Sequence, residues 1–201
     1  QAEGRPLRLA SSRPPETPAY SQVDLRTGAG LDRAFDSVTR AFLLSPPGYA
    51  DQEAILAPLI DLAASHKLER VVLMSAMGAD ASDELPLRKA ELRLLRSGVP
   101  ATIIRPNWFM QNFNTYWRPG IDEAGRIRLP VGRARGSFID ARDIAEVAAG
   151  LLMSADHVGS AFDLTGPEAL DHDEAAAALA SASGRSITFE DISPETMRPI
   201  L

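Results

Sequence analysis

The chain is 201 residues long, 45% hydrophobic and 24% charged, the composition of an ordinary globular protein with room for one α/β domain and a small appended lobe. Its net charge of −6 argues against nucleic acid as a partner, because phosphate binding needs a basic surface. It has no cysteine, which excludes disulfides and thiolate chemistry, and its three histidines lie far apart in sequence, so we expect no metal site.

The two ends of the chain are unusual. Gln1 leads within a few residues into an apolar strand, and the segment from Ser193 opens what resembles a helix and then stops. We therefore expect a chain trimmed at both ends. No apolar run has membrane-spanning length and the first residues do not resemble a signal peptide, so we expect no membrane partner and a cytoplasmic location.

Predicted strands and helices alternate along the first half of the chain. Apolar runs predict strands at 7–12, 21–25, 40–45, 70–75 and 101–104. Apolar side chains at helical spacing predict helices at 31–35, 51–66 and 86–97, and Pro58 inside the second predicts a kink or a late start. This alternation with short connections predicts a doubly wound parallel sheet with right-handed crossovers.

The pattern changes after residue 107. Residues 108–113 are rich in aromatic side chains, and the Pro and Gly residues in 116–135 predict a loop. Ordered structure is predicted to return at 137–140. It continues with a helix whose apolar face covers 144–152, a strand at 162–164, a helix that begins at the cap formed by Asp171 and Glu174 and ends at Gly184, and a strand at 186–190.

Some polar residues have simpler explanations than catalysis. Asp140 and Asp143 precede a predicted helix, and we interpret them as helix caps rather than as a catalytic carboxylate pair. His172 falls in the first turn of a predicted helix and is expected to be exposed. His66 and His157 are expected at a helix end and in a loop, without partners, so no histidine is assigned as a general base.

Five motifs in order resemble a known family. Together they resemble the NmrA-like branch of the atypical short-chain dehydrogenases/reductases, which includes NADPH sensors, NAD(P)H:quinone reductases and azoreductase-like enzymes. The motifs are V-V-L-M-S-A-M-G-A at 71–79, I-R-P-N-W-F-M-Q-N at 104–112, G-S-F-I-D-A-R-D-I-A at 136–145, L-T-G-P-E-A-L at 164–170 and S-P-E at 193–195.

The resemblance implies a Rossmann-type fold with a small C-terminal α+β substrate lobe. Residues 1–107 with 136–160 are expected to form the NAD(P)-binding domain, and 108–135 with 161–201 the substrate lobe. Family members begin with a strand and a G-x-x-G-x-x-G turn that binds the pyrophosphate. Residues 7–12 match the family's second strand, so that first strand and glycine loop are expected upstream of this chain.

Residues at the ends of the first three predicted strands are expected to bind the cofactor. Arg13 follows the strand that positions the adenosine ribose in a Rossmann fold, where arginine favours the 2′-phosphate of NADP(H) and an acidic residue would favour NAD(H). Ser12 could add a hydroxyl. The resemblance places Asp24 near the adenine, although a turn at the strand end explains it equally well. Ser45 and Pro46 are expected to pass along the ribose.

Ser75 stands where short-chain dehydrogenases have their substrate-orienting serine. In those enzymes a Tyr-x-x-x-Lys follows, in which the tyrosine donates a proton. This chain keeps the lysine as Lys89 but has Leu85 at the tyrosine position. Proton donation by tyrosine is therefore disfavoured. The resemblance assigns Lys89 to the nicotinamide ribose and makes it the candidate catalytic residue, with a solvated helix lysine as the alternative.

The aromatic residues after the fifth predicted strand are candidates for the substrate pocket. In the family, the segment that corresponds to Pro106 and Asn107 lines the nicotinamide. Trp108, Phe109 and Phe113 could stack on a flat quinone or azo substrate, or could instead be core residues. Tyr116 and Trp117 extend this aromatic group.

Three functions fit these residues. The first is an NADP(H)-dependent oxidoreductase that transfers hydride to a flat conjugated acceptor such as a quinone. The second is a non-catalytic NADP(H) sensor that acts through a protein partner, and the third is an accessory protein of a biosynthetic pathway. The expected partner is a small aromatic or quinone-like substrate, and a homodimer or a regulatory protein is also open.

Overall fold

Strands and helices alternate along the chain in the computed structural model, which describes residues 6–14 and 19–197. The strands are β1 (Leu9–Ser11), β2 (Tyr20–Gln22), β3 (Arg40–Leu44), β4 (Arg70–Met74), β5 (Ala101–Pro106), β6 (Arg126–Leu129), β7 (Ala161–Leu164) and β8 (Thr188–Asp191). The helices are α1 (Leu31–Phe35), α2 (Gln52–Ser65), α3 (Pro86–Arg96), α4 (Arg118–Ala124), α5 (Ala141–Met153), α6 (His172–Ser183) and α7 (Pro194–Met197).

The chain divides into two compact units. Unit 1 contains the described residues up to Arg105 together with Ala145–Asp163, and unit 2 contains Pro106–Ile144 together with the described residues from Leu164 onward. The assignment of these units to a cofactor domain and a substrate lobe stays a prediction.

Unit 1 is built on a sheet with the strand order β3-β4-β5-β7. β4 pairs in parallel with β3 on one side and with β5 on the other. β1 and β2 form a separate parallel pair. Parallel strands connected through helices confirm the predicted doubly wound α/β fold.

The core of unit 1 packs helices onto β4 and β5. Val71 and Leu73 of β4 and Ile103 of β5 are fully buried in one apolar cluster with Leu56 and Ile60 of α2. Alternate residues of the same strands, Val72 and Ile104, are also fully buried. Burial on both faces is what the continuous apolar run at 70–75 predicts for a central parallel strand.

α2 shows how local signals set a helix boundary. The Asp51 carboxylate accepts a hydrogen bond from the backbone N–H of Ala54 at 3.0 Å and caps the helix N-terminus. The helix then runs from Gln52 through Pro58 to Ser65. The predicted late start at Pro58 is therefore wrong, because the cap and the apolar face begin the helix before the proline.

Unit 2 contains a parallel pair formed by β6 and β8, with α4 packed on β6 and α6 packed on β8. Its buried apolar cluster consists of Ile121, Ile127, Leu129, Ala176 and Ile187. α6 begins with the predicted cap: Asp171 and Glu174 form a reciprocal capping box, and Gly184 ends the helix in the left-handed conformation.

The loop predicted for residues 116–135 is wrong, because α4 and β6 lie there. Pro119 stands in the first turn of α4 and Gly125 ends it with a φ of 62°. A Cβ atom at Gly125 would lie 2.5 Å from the Ser186 carbonyl oxygen, so the position requires glycine. The proline and glycine that predicted a loop are thus the start and stop of a short helix.

The segment at 137–140, where ordered structure is predicted to return, is not a regular strand. That segment makes isolated bridges instead, in which Gly136 pairs with Leu170 and Ile139 pairs with Phe109. Single bridges of this kind position a chain segment without building a sheet.

Candidate functional site

The carboxyl ends of the parallel strands in unit 1 carry small and polar residues. β1 is followed by Ser12 and Arg13, β3 by Ser45 and Pro46, and β4 by Ser75. The last residues of β3 and β4 are register partners, so Ser45 and Ser75 lie at the same edge of the sheet. Ligands of open parallel sheets bind at this edge.

Arg13 leaves the end of β1 with its side chain exposed. Its backbone N–H donates to the Ser11 hydroxyl at 3.1 Å, which fixes the turn after the strand. The carbonyl of Ser12 accepts a weak hydrogen bond from the Gln22 side chain at 3.4 Å. The geometry leaves the Arg13 guanidinium directed away from the core, and its contact with a 2′-phosphate stays a prediction.

Asp24 stabilises the turn that follows β2. Its Oδ1 atom accepts hydrogen bonds from the backbone N–H groups of Arg26 at 2.8 Å and Thr27 at 3.3 Å. These two bonds lower the pKa of Asp24 below its ordinary value. The turn-forming interpretation therefore describes its observed contacts, and contact with adenine stays a prediction.

Ser75 is buried at the end of β4, and its hydroxyl forms no hydrogen bond of good geometry with the described part of the chain. It lies close enough to the Glu91 carboxylate to contribute to lowering the pKa of that group. The hydroxyl oxygen is itself buried, so its contact with a bound molecule stays a prediction.

A buried ion-pair network beside Ser75 joins α3 to β5. The guanidinium of Arg105 donates two hydrogen bonds to the Glu91 carboxylate, at 2.9 and 2.7 Å, and Arg88 donates a third at 3.0 Å. Asp80 pairs with the remaining nitrogen of Arg105. Burial raises the pKa of Glu91, but the bonds from Arg105 and Arg88 outweigh it and the pKa is lowered overall.

This network fixes α3 relative to the strand edge, and the sequence analysis did not find it. Glu91 is fully buried and Arg105 is 7% exposed. Arg105 could have indicated the network, because it is a charged residue within the apolar strand at 101–106. A buried arginine needs a carboxylate partner.

Lys89 lies on the exposed side of α3. Its Nζ atom is 2.9 Å from a carboxylate oxygen of Glu84, and this hydrogen-bonded pairing raises the lysine pKa. No hydrogen bond joins Lys89 to Ser75 within the described residues. Leu85 is the residue that precedes α3. The role of Lys89 at a nicotinamide ribose therefore stays a prediction.

The candidate substrate residues lie in the aromatic segment, which we define as residues 108–113 of unit 2. The Asn107 side chain accepts a hydrogen bond from the Trp108 backbone at 2.7 Å, and the Asn107 backbone donates to Leu164 at 2.9 Å. Trp108 is 45% exposed, whereas Phe109 and Phe113 are half-buried. Pro106 is buried as the last residue of β5.

Trp117 connects the aromatic segment to the core of unit 2. Its ring centroid is 5.6 Å from that of Trp108 and 4.8 Å from that of Phe113. Phe113 in turn contacts Phe138 at 5.1 Å. These separations are typical of favourable aromatic pairs. An exposed indole at one end is thus supported by rings that reach into the core.

His172 lies at the buried end of this aromatic group, so its predicted exposure is wrong. It is 3% exposed, and its ring lies 5.3 to 5.8 Å from those of Trp117, Phe138 and Phe189. Burial lowers its pKa below the ordinary value, against a smaller opposite effect of nearby acidic residues. Its partners are distant in sequence, so no local signal predicts the burial.

The described residues show neither a metal-binding cluster nor a membrane-spanning helix. No group of three or more acidic, histidine or cysteine side chains is arranged to bind a metal ion in the described part of the chain. Within the same residues, no helix combines the length and apolarity that a membrane span requires.

Comparison with known proteins places the chain in a family. No family model matches it. It is 34% identical over 209 residues to the (4-alkanoyl-5-oxo-2,5-dihydrofuran-3-yl)methyl phosphate reductase of Streptomyces griseus, covering 100% of this chain and 73% of that protein. It is also 34% identical over 176 residues to the NAD(P)H azoreductase of Xenophilus azovorans, covering 86% of this chain and 61% of that protein.

A solved structure agrees with the fold. The NADPH-dependent quinone oxidoreductase of Escherichia coli, in complex with NADPH, matches 90% of this chain and 65% of its own with a TM-score of 0.73 and 23% identity. Its likeness confirms the Rossmann-type fold. From the curated relatives, the chain belongs to the NmrA-like branch of the atypical short-chain dehydrogenases/reductases, as its motifs predict. It spans 61% to 73% of the length of those two relatives.

Proposed function

We propose that this protein is an NADP(H)-dependent oxidoreductase that transfers hydride to a flat conjugated acceptor such as a quinone. The observation that carries the proposal is the shared edge of the parallel sheet, where Ser45 follows β3 and Ser75 follows β4 and where ligands of open parallel sheets bind. The names of the relatives, which include an azoreductase and a quinone oxidoreductase, support an acceptor of this class.

The residues present fit a dinucleotide. Ser12, Arg13, Ser45 and Pro46 would line the strand ends along it, and Ser75 would hydrogen-bond a polar group near the nicotinamide. Lys89, released from its exposed pair with Glu84, would donate to a ribose hydroxyl. When bound, NADPH supplies the hydride.

Leu85 supports a conjugated acceptor if the protein is an enzyme. With leucine in the tyrosine position, α3 offers no phenol that could donate a proton. A conjugated acceptor needs such a donor less, because its product delocalises the negative charge. The chain's contribution would be to orient the acceptor on the aromatic segment, where Trp108 presents an exposed ring.

A panel of quinones and azo dyes tests the proposal. We expect the full chain to oxidise NADPH with at least one of these acceptors. Leu85 fits a second candidate equally well, namely an NADP(H) sensor without catalytic activity. Tight NADPH binding without turnover, together with a co-purifying protein, would favour that sensor. If neither NADPH nor NADP⁺ raises the melting temperature of the full-length protein, both functions fail and an accessory role remains.

The NADP(H) preference has its own test. Arg13→Ala should weaken NADPH binding by about tenfold or more, because a charge-assisted pair with the 2′-phosphate would be lost, and should leave NADH binding unchanged. Isothermal titration of both cofactors measures this difference. Equal losses for the two cofactors would contradict the assignment of Arg13.

A further inference from the structure

The aromatic segment combines one exposed ring, that of Trp108, with the half-buried rings of Phe109 and Phe113. The 310 helix Met110–Asn114 has no buried residue, and Trp108 is 45% exposed. Apart from the ring contacts of Trp108 and Phe113 with Trp117 and Phe138, the orientation of the segment depends on hydrogen bonds.

The backbone fixes the start of the segment. The Ile139 N–H donates to the Trp108 carbonyl at 2.9 Å, and the Met110 N–H donates to the Ile139 carbonyl at 2.9 Å. The segment around Ile139 is itself tightly packed, because a Cβ atom at Gly166 would lie only 1.8 Å from the Phe138 carbonyl oxygen. These bonds end at Met110, before the second half of the segment.

The side chain of Gln111 makes the next connection. Its Nε2 atom donates to a carboxylate oxygen of Asp140 at 3.0 Å, and its Oε1 atom accepts from the backbone N–H of Ala141 at 2.9 Å. Both partners lie at the N-terminus of α5. One amide group thus joins the 310 helix to the start of a long helix through two hydrogen bonds.

Asp140 is held in place by a second partner. Arg142 donates to its carboxylate from the backbone N–H at 2.8 Å and from the guanidinium at 2.6 Å. These bonds lower the pKa of Asp140 far below its ordinary range. The carboxylate therefore accepts hydrogen bonds at any physiological pH, which fixes the orientation of the Gln111 amide.

We propose that Gln111 is a positioning residue, whose amide orients the aromatic segment through Asp140 and Ala141 so that the acceptor can stack on it. Gln111 would not touch the reacting atoms. Its effect on the acceptor rests on the proposed function, whereas its effect on the aromatic segment does not.

Two matched variants test the proposal. Gln111→Glu and Asn114→Asp each replace an amide by a carboxylate in the same 310 helix, but only Gln111 is bonded to α5. The two tryptophans of the chain, Trp108 and Trp117, lie in or beside the segment, so intrinsic fluorescence reports on it directly.

We expect Gln111→Glu to red-shift the tryptophan emission and increase acrylamide quenching at neutral pH, because its carboxylate repels Asp140. Acidification should restore the wild-type emission, since a protonated glutamic acid regains one donor and one acceptor. Asn114→Asp should match the wild type at each pH. Gln111→Leu, which adds no charge, should show the shift at every pH without recovery.

Kinetics of the full chain supply the second readout. Loss of the two bonds should raise the KM for a quinone by about tenfold while kcat and NADPH affinity stay unchanged. If the wild type reduces no acceptor, the proposed function fails, and the fluorescence still tests Gln111. Two results would overturn the proposal. The first is that Gln111→Glu and Gln111→Leu have the same tryptophan emission as Asn114→Asp at every pH. The second is that the Gln111 variants weaken NADPH binding as much as they raise the KM for the quinone.

Discussion

Unit 1 and unit 2 fix their candidate site residues by different physical means. In unit 1, Ser45 and Ser75 are positioned by the register of parallel strands, and the ion pair of Glu91 with Arg105 fixes the adjacent helix. In unit 2, the exposed Trp108 is positioned by three kinds of contact: isolated β-bridges, the side-chain amide of Gln111 and the ring of Trp117. Regular pairing fixes the strand edge through many backbone hydrogen bonds, whereas the exposed ring depends on a few side-chain contacts.

The largest expected effect is a loss of stability when the buried ion-pair network of unit 1 is broken. Glu91→Gln should lower the free energy of unfolding by about 3–5 kcal/mol, because it removes the buried counter-charge of Arg105 and leaves only the half-exposed Asp80. Glu69→Gln is the control, since Glu69 pairs with Arg40 at 3.5 Å with a side chain that is 62% exposed. That pair should contribute about 0–1 kcal/mol. Urea denaturation measures both, and similar losses would contradict the role given to the buried network.

The strand edge could be predicted from the sequence, while the networks around it could not. Continuous apolar runs predicted β3, β4 and β5 nearly to the residue, because a buried strand leaves a local signal. Ser75 was singled out by the resemblance to short-chain dehydrogenases, and it lies directly after β4. The burial of Glu91, in contrast, could not be predicted. Its local sequence is that of an exposed carboxylate on a helix, and its burial is explained by the ion pair with Arg105, which is distant in sequence.

Unit 2 was predicted less well for the same reason. Its burial depends on residues far apart in sequence, as the contact of His172 with Phe138 and Phe189 shows. Gln111 carried no signal beyond the family motif, because its partners Asp140 and Ala141 follow 29 and 30 residues later. Pro119 and Gly125 were interpreted as loop residues, although they mark the start and the end of α4.

An intermediate effect is expected for the exposed ring. Trp108→Ala should raise the acceptor KM by about fivefold through loss of stacking, with little change in stability because the side chain is half-exposed. Trp108→Phe keeps a ring and should recover most of the affinity. Steady-state kinetics with a quinone, alongside thermal melting, separate the two effects. A large drop in melting temperature with unchanged KM would make Trp108 a core residue.

The smallest expected effect is a pH dependence in unit 2. Burial lowers the pKa of His172, so its neutral form is favoured in the folded state. Its contribution to stability is complete above the unfolded-state pKa and is lost as the pH falls through the folded-state pKa. His172→Leu should therefore lose less stability than the wild type between about pH 7.5 and about pH 5.5.

The exposed His66 gives the control for that experiment. His66→Leu should keep the wild-type pH dependence in urea denaturation. Equal pH dependence in the His172→Leu and His66→Leu variants would show that the buried imidazole is not the titrating group.

Hydride transfer is the central claim, and NADPH deuterated at C4 of the nicotinamide tests it most directly. In single turnovers of the full chain with a quinone, deuterium in one of the two C4 positions should slow NADPH oxidation, and deuterium in the other should leave it nearly unchanged. Bound NADPH that no quinone or azo acceptor oxidises would contradict the claim.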